Sequence, residues 1–161
     1  MPHLVEFNAF LEEINKESDR GAALVCSAML DDLLEKIISA FLLDNKEANK
    51  LLSGFNAPLG TFSARILAAY ALGLLSEKEH DECNRLRTIR NEFAHNVHQK
   101  FADQKVQDLC SNLQYAARGF PDHPNPSRAY FLTAATGLIL SLTNRSHYVG
   151  LERLKHKNWR S

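Results

Sequence analysis

Apolar side chains recur three and four residues apart along most of this chain, and that spacing limits the fold more than any other feature. One such repeat, between residues 19 and 45, contains Cys26, Leu30, Leu33, Leu34, Ile37 and Phe41. Residues at this spacing share one face of an α-helix, whereas a half-buried strand needs strict alternation. The 24 leucines and 18 alanines also outnumber the five valines and six isoleucines, which favours helices. We therefore predict an all-α bundle of about six to seven helices with no β-sheet.

Start and stop signals predict where these helices lie. The predicted helices cover residues 4–16, 19–45, 46–52, 62–75, 77–97, 103–118 and 127–144. We expect Asp19, Thr61 and Ser127 to cap three of them. The run Ser76-Glu77-Lys78-Glu79 matches a capping box, in which the first and last side chains each bind a backbone N–H.

Two local patterns add to this outline. Residues 62–75 are apolar almost all round, with Arg65 as their only charge, so we predict that this helix is buried. Before the last helix a loop is predicted by three prolines, namely Pro121, Pro124 and Pro126.

The 161 residues match the size of one domain, and no internal repeat divides them. We predict one helical domain over residues 1–146. In residues 147–161 the only acid is Glu152, and the bases are Arg153, Lys155, Lys157 and Arg160. This composition predicts a basic C-terminal tail that is partly disordered.

Net charge and cysteine content exclude several classes of protein. The 19 basic and 19 acidic residues cancel, so no overall field draws the chain to nucleic acid or to an anionic membrane. Residues 1–60 hold 10 acids and 5 bases, and the remainder holds 9 acids and 14 bases, so a basic surface would belong to the second part. Neither a disulfide framework nor a zinc ribbon is supported by three widely spaced cysteines, Cys26, Cys83 and Cys110.

The apolar segments argue against a membrane protein. The most apolar stretch, residues 129–142, is too short to cross a bilayer and contains hydroxyl side chains. The N-terminus lacks the basic and apolar regions of an export signal. We therefore predict a cytoplasmic protein without a membrane span.

The segment from Leu86 to Asn96 carries the most informative polar residues. On a helical projection, Arg90 falls inside the apolar stripe formed by Leu86, Ile89, Phe93 and Val97. On another face, Arg87, Asn91 and His95 follow one another at a spacing of four. Asn91 is therefore expected to orient the imidazole of His95, with Arg87 as a nearby positive charge.

A buried guanidinium is costly unless it is paired, so Arg65 and Arg90 both call for carboxylates. Asp31, Asp32 and Glu35 on the second helix are candidates, and we expect Asp31 to be the partner, above all of Arg90. The predicted polar cluster comprises Asp31, Arg65, Arg87, Arg90, Asn91 and His95. It is either a structural network that ties helices together or a binding site.

Two motifs carry a resemblance to a known family. They are Pro58 to Ile66 continued by Ala71 to Ser76, and Ile89 to His95. The sequence resembles the mannitol operon repressor (MltR/MtlR-like) family, best over residues 22–97. The resemblance implies an all-helical cytoplasmic protein that acts as a transcriptional regulator, in a family without a recognised DNA-binding motif.

A shorter string, Arg90-Asn91-x-x-x-His95, resembles the signature of HEPN domains, which are small helical bundles that often dimerise. Some of them are metal-independent ribonucleases. The resemblance implies that His95 would serve as general acid or base and that Arg90 would stabilise charge on the phosphate. On an ideal helix these two side chains point about 140° apart, so a shared cleft would need a local rearrangement or a second subunit.

Other chemistry has weaker support. The pairs His95-x-x-His98 and His80-x-x-Cys83 have helical spacing but supply only two ligands each, so we predict no metal and no other cofactor. The one candidate helix-turn-helix is formed by the predicted helices 62–75 and 77–97. Its second helix opens with four acids against Lys78 alone, which phosphates would repel.

Three functional hypotheses remain. The first is a non-catalytic regulator that binds a protein partner, for example another regulator, and does not bind specific DNA directly. The second is a HEPN-like ribonuclease or RNA-binding protein that uses Arg90 and His95. The third is a purely structural partner protein, and self-association is compatible with each of them.

Overall fold

The computed structural model describes residues 2–119 and 126–160. Within these residues the chain forms eight helices and no strand, which confirms the predicted all-α class. The helices are α1 (Pro2–Lys16), α2 (Asp19–Phe41), α3 (Lys46–Leu52), α4 (Phe62–Ala71), α5 (Glu77–His95), α6 (Gln104–Ser111), α7 (Pro126–Thr143) and α8 (Arg145–Leu151). In these same residues no helix combines the length and the apolar character needed to span a membrane.

Hydrogen bonds at the helix starts confirm two of the predicted caps. Thr61 Oγ1 accepts from the N–H of Ala64 at 3.2 Å and begins α4. The capping box of α5 is formed in both directions, because Ser76 N donates to Glu79 Oε2 at 2.8 Å and Glu79 N donates to Ser76 Oγ at 3.2 Å. A side-chain oxygen at these positions satisfies an N–H that the helix itself cannot.

The other two predicted caps, Asp19 and Ser127, are wrong because each residue lies inside the first turn of its helix. The cap of α2 is Ser18, whose Oγ accepts from the N–H of Gly21 at 3.0 Å, and Asp19 is the first helical residue. α7 begins at Pro126, which suits the first turn because that position needs no N–H, and Ser127 is buried inside this turn. Of the predicted proline loop, Pro121 and Pro124 lie outside the described residues.

Three helices end four or more residues earlier than predicted. α4 stops at Ala71 because Gly73 takes a left-handed conformation (φ 75°). The N–H of Leu74 then bonds to the carbonyl of Ala69 at 2.8 Å, which closes the helix end. α2 stops at residue 41 and α6 at residue 111.

The chain divides into two compact units, of which the first comprises Met1–Met29 and Arg85–Gly137. Its centre holds three completely buried phenylalanines, Phe93, Phe101 and Phe131. The ring centroid of Phe101 lies 4.7 Å from that of Phe93 and 5.4 Å from that of Phe131. Aromatic rings at these distances pack favourably, so they fix the loop that carries Phe101.

The second unit comprises Leu30–Asn84 and Leu138–Ser161. Its apolar core includes Leu30, Leu34, Ile37, Ile38, Ile66, Leu138 and Leu142. The prediction that α4 is wholly buried is wrong. Leu67 is 67% exposed and Tyr70 40% exposed, because α4 packs through the side that carries Phe62, Arg65 and Ile66.

The C-terminal residues begin as helix. α8 crosses the predicted domain boundary at residue 146. Beyond it, Arg153 Nη1 donates to the carbonyls of Leu42 at 2.7 Å and Ser39 at 3.2 Å, and Leu154 N donates to Phe41 O at 2.8 Å. These bonds satisfy carbonyls at the end of α2 that have no partner within the helix.

Candidate functional site

The candidate residues of α5 lie in the first unit, on the part of the helix that starts at residue 85. Leu86, Ile89 and Phe93 are completely buried, as the apolar stripe predicts. The prediction that Val97 belongs to this stripe is wrong, because its side chain is 68% exposed. The helix ends at His95, so Val97 does not continue the buried face of α5.

Arg90 is half-buried, and its Nη1 donates to Asn91 Oδ1 at 3.1 Å. The expected ion pair with Asp31 is wrong, because that carboxylate binds Arg65 instead. A long arginine side chain can pack its carbon atoms against apolar neighbours while the guanidinium reaches water. Arg90 therefore needs no carboxylate to lie beside the apolar stripe.

Arg87 is also half-buried, and its Nε is shielded from solvent. In the part of the chain that the structure describes, this Nε has no hydrogen-bond acceptor. The side-chain oxygen of Asn91 accepts a hydrogen bond from Arg90, and no hydrogen bond joins Asn91 to His95 among the described residues, so the expected orientation of His95 by Asn91 is wrong. His95 is exposed at the last residue of the helix. We call Arg87, Arg90, Asn91 and His95 the α5 polar strip.

Arg65 forms a separate group in the second unit, with a partner for each of its three nitrogen atoms. It is 6% exposed, and its Nη1 and Nη2 contact Asp31 Oδ1 at 3.0 Å and Glu35 Oε2 at 2.8 Å. Its Nε donates to Leu59 O and its Nη2 to Leu52 O, each at 2.9 Å. Because a buried guanidinium is stable only when paired in this way, Arg65 holds α2, α4 and the loop between α3 and α4 together.

The six residues of the predicted cluster thus belong to two groups. Asp31 and Arg65 lie in the second unit, and the α5 polar strip lies in the first. Helical spacing shows which residues share a face, but it does not show which helices pack together. The pairing of Asp31 with Arg65 rather than Arg90 depends on that packing.

The sequence reasoning missed a second role of Glu79. Besides capping α5, its carboxylate binds Arg145 through two contacts, Oε1 to Nη2 at 2.7 Å and Oε2 to Nη1 at 3.1 Å. Burial alone would raise the pKa of Glu79, but hydrogen bonds from Arg145 and Ser76 outweigh it and lower the pKa below its ordinary value. Arg145 is 66 residues away along the chain, so no local pattern could reveal this pair.

The three cysteines are unsuited to thiolate chemistry. Cys26, Cys83 and Cys110 are completely buried, and burial raises the pKa of each thiol to about 12. A thiol with so high a pKa stays protonated and is neither a good nucleophile nor a metal ligand. No group of three or more His, Cys, Asp and Glu side chains within the described ranges could hold a metal ion.

The family resemblance is confirmed by comparison with known proteins. A family model described as mannitol repressor matches residues 6–133, so this chain belongs to the mannitol repressor family. The X-ray structure of the MtlR-HPr complex from Escherichia coli contains a chain that is 22% identical, with a TM-score of 0.60. The match covers 89% of this chain and 98% of that chain, which shows a shared fold. No curated protein matches the sequence.

Proposed function

We propose that this protein is a non-catalytic regulator of the mannitol repressor family that acts by binding another protein. Family membership supports the regulatory role. The shared fold with a chain solved in the MtlR-HPr complex supports protein contact as the mode of action, and it makes HPr the first partner to test. We also propose that the protein acts in the cytoplasm.

The observation that carries this proposal is the shortage of acceptors for Arg87 and Arg90, two half-buried arginines of the α5 polar strip. Arg87 Nε is buried without an acceptor among the described residues, and Arg90 has only the neutral amide of Asn91. A buried donor without an acceptor costs about 1–3 kcal/mol, and more when the group is charged. Both arginines are only half-buried, so their exposed N–H groups can donate to a carbonyl or carboxylate oxygen of a partner, and the strip is suited to an interface.

Calorimetric titration with HPr tests the proposal. We expect binding to the wild type, and about 10- to 100-fold weaker binding for Arg87→Ala and Arg90→Ala, because each substitution removes charged donors from the interface. Lys78→Ala is the matched control, since it removes an exposed positive charge from the first turn of the same helix. Circular dichroism of each variant checks that the fold is intact.

Two outcomes would contradict the proposal in different ways. Absence of HPr binding to the wild type would exclude HPr as the partner. Unchanged affinity in both arginine variants would show that the α5 polar strip is not the contact, even if HPr binds.

The ribonuclease hypothesis has less support from the geometry. α5 is a regular helix through His95, so Arg90 and His95 keep the separation of about 140° that their spacing gives. Incubation with structured and single-stranded RNA in EDTA tests it. Cleavage by the wild type that disappears in a folded His95→Ala variant would replace our proposal, since loss of a general acid or base typically costs about 10²–10⁴ in rate.

A further inference from the structure

A cavity of about 670 Å³ opens in the first unit, where the start of α2 faces the loop after α5. Charged and titratable side chains make up most of its lining, namely Asp19, Arg20, His98, Lys100 and Asp103. Cavities of this size suit a small organic molecule better than a single ion.

One wall of the cavity is held rigidly by Phe101. This side chain is completely buried between Phe93 and Phe131, and its backbone N–H donates to Asp19 Oδ2 at 3.0 Å. The wall therefore exists before any ligand binds. A preformed wall reduces the ordering cost of binding.

The two acidic residues of the lining are already engaged. Asp19 accepts from Arg128 Nη1 at 2.7 Å in addition to the Phe101 N–H. Asp103 Oδ2 accepts from Gln99 Nε2 at 2.7 Å and from Lys100 N at 2.8 Å. The ion pair with Arg128 neutralises Asp19, so the positive charges of the lining exceed the negative ones.

Arg20 is positioned to bind an anion. Its Nε donates to Phe93 O at 3.1 Å, which fixes the orientation of the guanidinium. In residues 2–119 and 126–160, its two terminal nitrogens have no hydrogen-bond partner. A guanidinium edge with two N–H groups matches the oxygens of a phosphoryl or carboxylate group.

We propose that this cavity binds a small organic anion with a phosphoryl or carboxylate head group. Arg20 binds the head group through Nη1 and Nη2, Lys100 adds a second positive charge, and His98 adds a further polar contact. No residue of the α5 polar strip lines the cavity, so substitutions at the two places can be tested independently.

The test is a titration of the full chain followed by two-dimensional amide NMR, at constant ionic strength. The probes are glucose 6-phosphate, citrate and inorganic phosphate. We expect saturable shifts at the amides of residues 97–100, and at least about tenfold weaker binding in Lys100→Gln, which removes a charged contact. Lys36→Gln is the matched control, because it removes an exposed lysine charge outside the cavity lining.

Arg20→Lys separates bidentate recognition from charge alone. It keeps the positive charge but loses the paired N–H groups, so we expect it to bind the probes more weakly than the wild type. Binding of glucose 6-phosphate alone would assign a phosphoryl head group, and binding of citrate alone a carboxylate.

Three results would overturn the proposal. One is a titration that does not saturate with any probe. Another is equal weakening in Lys36→Gln and Lys100→Gln, which would indicate nonspecific electrostatics. The third is binding of inorganic phosphate as tight as that of the organic probes, which would indicate an adventitious ion only.

Discussion

Arg65 and Arg90 show that two arginines beside apolar helix faces can be accommodated in different ways. Arg65 is buried and binds two carboxylates and two carbonyls. Arg90 is half-buried and binds one amide oxygen. The difference follows from how deeply each guanidinium is buried, because a guanidinium that reaches water needs no compensating charge.

We therefore predict a large difference in stability between two alanine variants. Arg65→Ala should lower the free energy of unfolding by about 3–5 kcal/mol, because it leaves the buried carbonyl of Leu52 without its donor and two part-buried carboxylates, Asp31 and Glu35, without their cation. Arg90→Ala should lower it by less than about 1.5 kcal/mol, the usual value of one hydrogen bond. Urea unfolding of the two variants measures this, and equal losses would contradict the assignment.

Glu79 makes stability depend on pH in a defined direction. Its pKa in the folded state lies below the ordinary value of 4.5, so between these two values the unfolded chain binds more protons. The contribution of Glu79 is therefore present above pH 4.5 and is lost as the pH falls through the folded pKa. Urea melts across this range should show a weaker acid dependence for Glu79→Gln than for the wild type, and identical slopes would refute the role.

At the scale of helices, the end of α4 depends on one left-handed residue. Gly73 has φ 75°, which costs a residue with a Cβ roughly 1–2 kcal/mol, so Gly73→Ala should destabilise the protein by that amount. Gly150 lies within α8 with open space around its Cβ position, so Gly150→Ala should stabilise by about 0.5 kcal/mol. Thermal melts should shift in opposite directions, and a shift of the same sign would contradict this reading.

The same helix shows what could be predicted from sequence. The start of α4 was predictable because Thr61 acts on an N–H only three residues away. The apolar pattern predicts too late an end for the helix, because it continues through Leu72 and Leu75 although Gly73 has already reversed the chain. Partners such as Arg145 for Glu79, or Phe101 for Asp19, depend on tertiary packing, and periodicity carries no information about it.

For the whole molecule, the balanced charge matters more than any single residue. The 19 bases and 19 acids give a net charge of zero, so the net charge provides no long-range attraction to DNA. The candidate helix-turn-helix gains no support from the structure, because Arg65, the only base of α4, is buried. Three exposed bases lie close together in the C-terminal segment, namely Lys155, Lys157 and Arg160.

We predict that binding to a candidate operator is weak, independent of sequence and lost as salt rises, because it depends on phosphate contacts from the C-terminal segment alone.

Deleting residues 147–161 would also remove most of α8 and the bonds of Arg153 to the end of α2, so deletion would confuse charge with stability. Lys155→Gln, Lys157→Gln and Arg160→Gln combined remove the charge and keep these contacts. Fluorescence anisotropy at increasing salt should show that the triple variant loses the residual binding. The contrary result is a triple variant that still binds tightly and distinguishes an operator from scrambled DNA. The helical domain itself would then recognise the DNA sequence, and regulation through a protein partner would no longer be required.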